Sequence, residues 1–455
     1  MRDILKGYIK DRAADLGRKV KVSLLGFGKT NRAILDALLP LDCAEITVRQ
    51  RGMSADAFPR SVRVYGGEDA FNTICEDVII PSPSVRRESL ALPYGCEVIT
   101  DYDLLFDSMP NRLFSVSGSD GKSTVTTLAS LLLYPSFPDL FVGGNIGTPL
   151  ILAKADSGAF LFELSSFTLH YCAPKCGRAL ITNITPNHLD WHKDFDEYKE
   201  AKLSLIRNSD EPILNLSDRI SAEAARDTHA FCLVSDRLTH KEITDGYKTE
   251  HTVTVEDGEI RLDGEGLLPL SSVRRKERHN VENLALAIAL SIGYTSREHV
   301  REVASSFEGL RERCEIFTKD GVDYISSSID TSPMRTKTTL EGLGRRVNII
   351  LGGRTKRLPL DALKEPLRKY AAKIGIYGEA SEEFLDFIDS YPDLKEIPRD
   401  AFPTLREAID YVTDGIRHGD TVLLSPAATS YGEFENYIER GRFFKDYVLK
   451  NYPKI

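Results

Sequence analysis

Gly118-Ser119-Asp120-Gly121-Lys122-Ser123-Thr124 is the stretch whose residue types and spacing most directly promise chemistry. It follows an apolar, β-rich run, Leu113–Val116, and precedes a helix-like run, Val125–Leu133, which is the setting a phosphate-binding loop requires. Glycines let such a backbone curl until its N–H groups face an anion, and the helix N-terminus adds partial positive charge. Lys122 supplies a cation able to reach terminal phosphates, and Ser123 or Thr124 a hydroxyl for Mg²⁺. The loop is shorter than G-x-x-x-x-G-K-[ST], because Val116 stands where the first glycine belongs, so a standard P-loop kinase or GTPase fits poorly. Glu163, ending the run Ala159–Leu164, offers the hard carboxylate oxygen that Mg²⁺ prefers, although a solvated strand-end glutamate would look the same.

These groups need strands to carry them. Short apolar runs ending in Gly, Ser or Pro and followed by helix-like stretches recur at Val20–Leu25, Leu113–Val116, Ala159–Leu164, Ala179–Ile184, Val347–Leu351, Lys373–Tyr377 and Thr421–Leu424. Such alternation reads as an α/β chain built on parallel sheets, with ligands beyond the carboxyl ends of the strands. Between Asn215 and Ser272 the pattern changes to alternating polar and apolar residues with Asp-Gly turns (His251–Leu268), which predicts a small β-rich insertion. At 455 residues the chain is long enough for about three domains, and restarts of strand-like sequence place their boundaries near 107 and 309.

The balance of 42% hydrophobic and 28% charged residues is that of a folded globular chain. A net charge of −9 gives no general attraction for nucleic acid or an anionic membrane. Seven cysteines, odd in number and irregularly spaced, are no disulfide framework and suit a reducing compartment. The charge-interrupted N-terminus is no signal peptide, and no apolar run is long enough to span a bilayer, so a cytoplasmic protein is expected.

The short loop matches G-[ST]-x-G-K-[ST], and further blocks follow it in order: Gly143 to Gly147 (GGNIG), Glu163 to Phe167 (ELSSF), Asn183 to Asp190 (NITPNHLD) and Ala201-Lys202. Beyond them come His279 to Asn283 (HNVEN), Leu310 to Arg313 (LRER), Leu351 to Lys356 (LGGRTK) and Leu424 to Ala427 (LSPA). On these blocks, which span nearly the whole chain, the sequence resembles the Mur ligase family, and GGNIG, ELSSF and S-P-A-x-x-S are most similar to its D-glutamate-adding branch. The resemblance implies a three-domain architecture: a Rossmann-like N-terminal domain for a UDP-substrate (1–107), a central P-loop ATPase-like domain for ATP (108–309) and a C-terminal Rossmann-like domain for the amino acid (310–455). It implies ATP-dependent amide ligation of D-glutamate to UDP-N-acetylmuramoyl-L-alanine through an acyl phosphate, in peptidoglycan precursor synthesis, with Mg²⁺ at two sites.

The resemblance also distributes roles. Gly118 to Thr124 hold ATP phosphates, and Lys122, Glu163, His188 and Lys202 are the catalytic set, with Ser123, Glu163, His188 and Lys202 around the metal. Lys202 reads by itself as an exposed helix lysine, and the resemblance implies that it carries a carbamate. Neighbouring His192 has no such support. Asn283 and Arg313 fall where the family contacts ATP, although the first could equally cap a helix and the second lie on the surface. Thr30, Arg51, Ser82 and Asn145 match the UDP-substrate side, and Thr331, Lys356, Ser430 and Tyr437 the amino-acid side, where two carboxylates need charge-assisted partners. Gly26-Phe27-Gly28-Lys29-Thr30-Asn31 looks like a dinucleotide fingerprint, but Asn31 replaces the third glycine and Arg49-Gln50-Arg51 the acidic ribose ligand, which disfavours NAD.

The pattern breaks at Ile325 to Pro333 (ISSSIDTSP), where the D-glutamate-adding branch reads I-N-D-S-K-A-T-N-P. Ser327 replaces the aspartate, Ile329 the lysine, and Asp330 is newly acidic, while Thr331 is kept. Asp120 stands where Asn is more usual. These changes leave two alternatives open: a Mur-type ligase for another amino acid, such as L-glutamate, and a non-catalytic nucleotide-binding paralogue.

Overall fold

The computed structural model describes residues 1–52, 58–67, 69–87, 90, 92–106, 113–145, 149–154, 157–172, 175–189, 191–310, 315–355 and 358–452. Among them, apolar runs alternating with helices assemble three sheets. Strands β1 (Val20–Leu25), β2 (Ala44–Arg49), β3 (Val62–Tyr65), β4 (Val78–Pro81) and β5 (Glu97–Val98) run parallel in the order β3-β2-β1-β4-β5. β1 is buried at every position but Lys21, as a strand covered on both faces must be. The order reverses between β1 and β4, the place where open α/β sheets bind ligands.

The second sheet contains β6 (Leu113–Ser117), β7 (Phe141–Gly144), β8 (Phe160–Glu163), β9 (Cys176–Ile181), β10 (Ser209–Asn215) and β11 (Ala230–Ser235). It continues through β12 (Thr249–Glu256), β13 (Glu259–Leu262) and β14 (Glu265–Pro269), in the order β14-β13-β12-β11-β10-β9-β6-β8-β7. The last three of these are the expected β-rich insertion, two antiparallel hairpins that widen the sheet. Their turns are Asp257-Gly258 and Asp263-Gly264, all four residues at positive φ, the backbone that suits right-twisted hairpins. Helix Arg278–Ser291 is buried over most of its length and lies with Lys122–Leu133 in one apolar cluster, which explains its nearly all-round hydrophobic sequence. One expectation shifts. The strand read as Ala179–Ile184 is Cys176–Ile181, because Thr182 and Asn183 leave the ladder to bond the phosphate loop.

The third sheet is β15 (Glu315–Lys319), β16 (Val322–Ser326), β17 (Val347–Gly352), β18 (Ala371–Tyr377), β19 (Arg399–Phe402) and β20 (Thr421–Ala427), in the order β15-β16-β20-β17-β18-β19. All its pairings are parallel except β15 with β16. The chain divides into two compact units, Met1–Phe307 with the first two sheets and Glu308–Ile455 with the third. The expected boundary at 309 lies two residues past that division, and the one at 107 falls outside the described residues. No helix among the described residues is long and apolar enough to cross a membrane.

Candidate active site

In the first unit the site is built where β6 lies between β8 and β9, so that the loops after all three strands share one edge. The phosphate loop leaves β6 at Ser117 and enters helix Lys122–Leu133. Gly118 has φ 142° and Gly121 φ 81°, and a Cβ would fall 1.8 Å from Thr182 Oγ1 at the first and 2.4 Å from Asn283 Oδ1 at the second. Only glycine fits both positions. Neighbouring loops hold this curl: Thr182 Oγ1 donates to Asp120 O (2.6 Å), Ser119 N–H to Asn183 O (2.8 Å) and Asp120 N–H to Asn183 Oδ1 (3.0 Å). Lys122 Nζ is folded back on the carbonyls of Gly118 and Ser119, 2.9 Å from each. Asn283 is thereby placed against the loop, on the buried helix Arg278–Ser291.

Glu163 ends β8 and is buried. Its Oε1 accepts from Asn145 Nδ2 at 2.8 Å, while its Oε2 is buried with no hydrogen-bond partner among the described residues. An orphaned buried carboxylate oxygen is costly unless a cation completes it, so the group fits a Mg²⁺ site. Asn145, expected toward the UDP-substrate, is in contact with this carboxylate.

Lys202 corrects the sequence reading. It is not exposed but 1% accessible, on the inner face of helix Phe195–Arg207, whose apolar positions Ala201, Leu205 and Ile206 face the same core. Its Nζ donates to Gly118 O (2.7 Å) and Ser117 Oγ (3.4 Å) and lies 4.8 Å from the Tyr198 ring centroid. Burial, and then the charge of Lys122, hold its ammonium well below the ordinary lysine range.

His188 is exposed, at φ 54°, an uncommon backbone for a residue with a side chain. Its carbonyl accepts from the N–H groups of Trp191 (3.0 Å) and His192 (2.9 Å), which closes the turn. His192, for which the sequence offered no role, is buried and ties this turn down. Its Nδ1 lies 3.1 Å from Glu197 Oε2 and its Nε2 2.9 Å from Ser166 Oγ, and burial lowers its pKa. Tyr198 was also missed. Its hydroxyl lies 2.7 Å from Ser119 Oγ, joining the helix that carries Lys202 to the phosphate loop. A tyrosine four residues before a lysine is the only local signal for it.

On the first sheet, Thr30 follows β1 and Ser82 follows β4, on either side of the switch point. Ser82 N–H donates to Leu25 O (2.6 Å), its hydroxyl lies 3.0 Å from that of Ser84, and Arg51 is exposed beyond β2. Asn31, in place of the third fingerprint glycine, is buried and spends its amide on the carbonyls of Leu25, Gly26 and Ile80.

In the second unit Ser430 is buried, Thr331 half-buried, and Tyr437 opens the helix Tyr437–Asn451. Arg440, unforeseen, gathers this region. Fully buried, it donates to Ser328 Oγ (2.9 Å) and O (2.8 Å), Tyr377 Oη (3.2 Å) and Ala428 O (3.2 Å), linking the ends of β16, β18 and β20. Asp330 is also buried, with Oδ2 accepting from Thr339 (2.7 Å) and Ser425 (2.8 Å). Arg313 and Lys356 lie outside the described residues.

Comparison with known proteins follows the same outline. Residues 116–291 match the Mur ligase middle domain family. Along 94% of its length the chain is 30% identical to the UDP-N-acetylmuramoylalanine--D-glutamate ligase of Clostridium kluyveri, covering 96% of that protein. It is 31% identical to the enzyme of the same name from Ruminiclostridium cellulolyticum, with the same coverages. The structure superposes on UDP-N-acetylmuramate-alanine ligase from Thermotoga maritima with a TM-score of 0.59 over 95% of this chain and 100% of that one, at 16% identity, a likeness of fold.

Proposed function

Because this chain belongs to the Mur ligase family, an ATP-dependent, amide-forming group, we propose that it joins D-glutamate to UDP-N-acetylmuramoyl-L-alanine. The observation that carries the reading is the convergence, on one sheet edge, of the phosphate loop, the orphaned carboxylate of Glu163 and the buried Lys202. Making an amide from a carboxylate requires a leaving group, and an acyl phosphate made from ATP provides one. Loop N–H groups and Lys122 would hold the phosphates, with Asn283 beside them. Ser123, Glu163, His188 and Lys202 would hold Mg²⁺ at two sites. Bound there, Mg²⁺ offsets the crowded negative charge of phosphates and carboxylate.

Burial favours the neutral amine of Lys202, the form that adds CO₂, and this supports a carbamate at that position. A carbamate would turn a neutral amine into an anion that attracts Mg²⁺. Intact mass measured gently in bicarbonate tests this, and an unmodified amine in fully active protein would exclude it. Thr30, Arg51, Ser82 and Asn145 serve the UDP-substrate in this reading, and Thr331, Ser430, Tyr437 and Lys356 the incoming glutamate, with the reaction in the cytoplasm.

The altered segment around Asp330 motivates a second reading, a different amino acid. The burial of Asp330 and its bonds to Thr339 and Ser425 favour D-glutamate, because they take up the new carboxylate inside the fold. Phosphate release with ATP, Mg²⁺ and UDP-N-acetylmuramoyl-L-alanine decides, comparing D-glutamate, L-glutamate and no amino acid, with Lys122→Ala as control. Release that depends on D-glutamate and disappears in the control is expected. Release with another amino acid moves the specificity, and none under any condition points to a nucleotide-binding paralogue.

A further inference from the structure

The turn that carries His188 is anchored at a point that the chemistry above does not use. Trp191, the single tryptophan of the chain, donates its indole N–H to the carbonyl of Ser84 at 3.1 Å. Ser84 belongs to the Ser82-Pro83-Ser84 loop after β4, on the first sheet, whereas Trp191 lies in the loop after β9, on the second. The same indole packs on Phe167 with centroids 4.6 Å apart, and Phe167 in turn meets the His188 ring at 4.8 Å. Arg86, two residues past Ser84, lies 5.7 Å from the Trp191 centroid and 3.7 Å from Glu197 Oε2, the oxygen that also faces His192. The Tyr171 hydroxyl donates to the carbonyl of Val85, so the loop is gripped again from the helix Ser166–Tyr171.

We propose that Trp191 is a positioning residue that couples occupancy of the Ser82–Ser84 loop by the UDP-substrate to the placement of His188. This inference rests on the ligase reading for its substrate. The physical argument is one of leverage. His188 sits at a φ that costs free energy for any residue with a Cβ, so its turn persists only where its surroundings over-determine it. Two of those constraints, the turn hydrogen bond from Trp191 N–H and the edge contact of the His188 ring with Phe167, which the indole backs, depend on one residue. That residue's third attachment is to a carbonyl in the loop of Ser82, the serine assigned above to the UDP-substrate. A shift of Ser84 by a bound diphosphate therefore reaches His188 through the indole and the Phe167 ring beside it.

The single tryptophan makes the coupling readable in the unmodified protein, because its emission can be excited apart from the tyrosines. Adding UDP-N-acetylmuramoyl-L-alanine without ATP is expected to shift Trp191 emission. Trp191→Phe keeps the ring but loses the N–H donor, and it is expected to raise KM for the UDP-substrate and lower kcat, each roughly fivefold, with KM for ATP unchanged within about twofold. Unchanged kinetics together with unresponsive emission would overturn the proposal while leaving the ligase reading intact. So would an equal loss toward both substrates accompanied by a lower Tm, the mark of a packing role. If the wild-type protein releases no phosphate at all, the ligase reading fails and UDP alone becomes the probe. An emission change with UDP then supports the coupling, and a flat titration overturns it.

Discussion

Single residues at this site are placed at a cost to the fold, and that cost is measurable. Glu163 Oε2 is buried with no hydrogen-bond partner among the described residues, so Glu163→Gln exchanges a buried carboxyl for a neutral amide of the same shape. The variant is expected to melt no lower than wild type while phosphate release falls by at least about 100-fold, compared by calorimetry and turnover on the same preparation. Lys202 behaves in a related way. Its folded pKa is depressed, so between that value and the ordinary lysine value of about 10.4 the unfolded chain binds a proton that the folded chain refuses, and wild-type stability rises with pH across this window. Lys202→Met is therefore expected to raise Tm by about 2–4 °C near neutral pH, with the gain shrinking as pH approaches the lysine range. An equal gain at all pH values would mean that the ammonium is not what burial penalises. Neither burial was legible in the sequence. Lys202 reads as exposed because its helix is amphipathic only in outline, and the depth of its inner face depends on what packs against it.

At the scale of elements, helix Asp101–Phe106 shows how a local signal and a tertiary one diverge. Its start is written locally: Thr100 and Asp103 exchange hydrogen bonds in the manner of a capping pair, Thr100 N–H to Asp103 Oδ2 at 2.7 Å and Asp103 N–H to Thr100 Oγ1 at 3.2 Å. Asp101 between them is buried, and burial first, with the charge of Asp103 adding, raises its pKa to about 7. A carboxyl whose folded pKa is raised favours the fold below its unfolded value, and that contribution is lost as pH climbs through the folded one. Asp101→Asn should thus gain stability relative to wild type between about pH 4 and pH 7, by up to about 4 kcal/mol, read as the difference between two denaturation curves at each pH. A constant difference would place the wild-type carboxyl in its ordinary range. The hairpins at Asp257-Gly258 and Asp263-Gly264 are the opposite case, since their turn chemistry is local and was visible in the sequence.

At the scale of the whole molecule, the groups proposed for ATP and the UDP-substrate, Arg313 excepted, lie in Met1–Phe307, and those proposed for the amino acid in Glu308–Ile455. Each unit has apolar clusters of its own, which is the condition for folding alone. A fragment spanning 1–307 is expected to be stabilised by UDP-N-acetylmuramoyl-L-alanine as strongly as the full chain, within about 2 °C of Tm shift, and to keep a shift with ATP and Mg²⁺, yet to form no amide. A fragment that binds neither ligand although folded would show that residues of the second unit complete those sites.

The α/β class, the phosphate loop, the order of the blocks and the hairpin insertion were all readable from the chain, because each rests on periodicity or on residues a few positions apart. Relations between strand ends distant in the chain came only with the folded arrangement. Lys202 and Lys122 donate to one carbonyl of Gly118, His192 bridges Ser166 and Glu197, Arg440 ties Ser328 to Tyr377 and Ala428, and Trp191 reaches Ser84. Residue type and spacing carry no record of such contacts. They are set by strand order, which brings β6, β8 and β9 to one edge and the first sheet's loop beside them, and by burial, which turns an ordinary lysine, histidine or arginine into a fixed and electrostatically altered group.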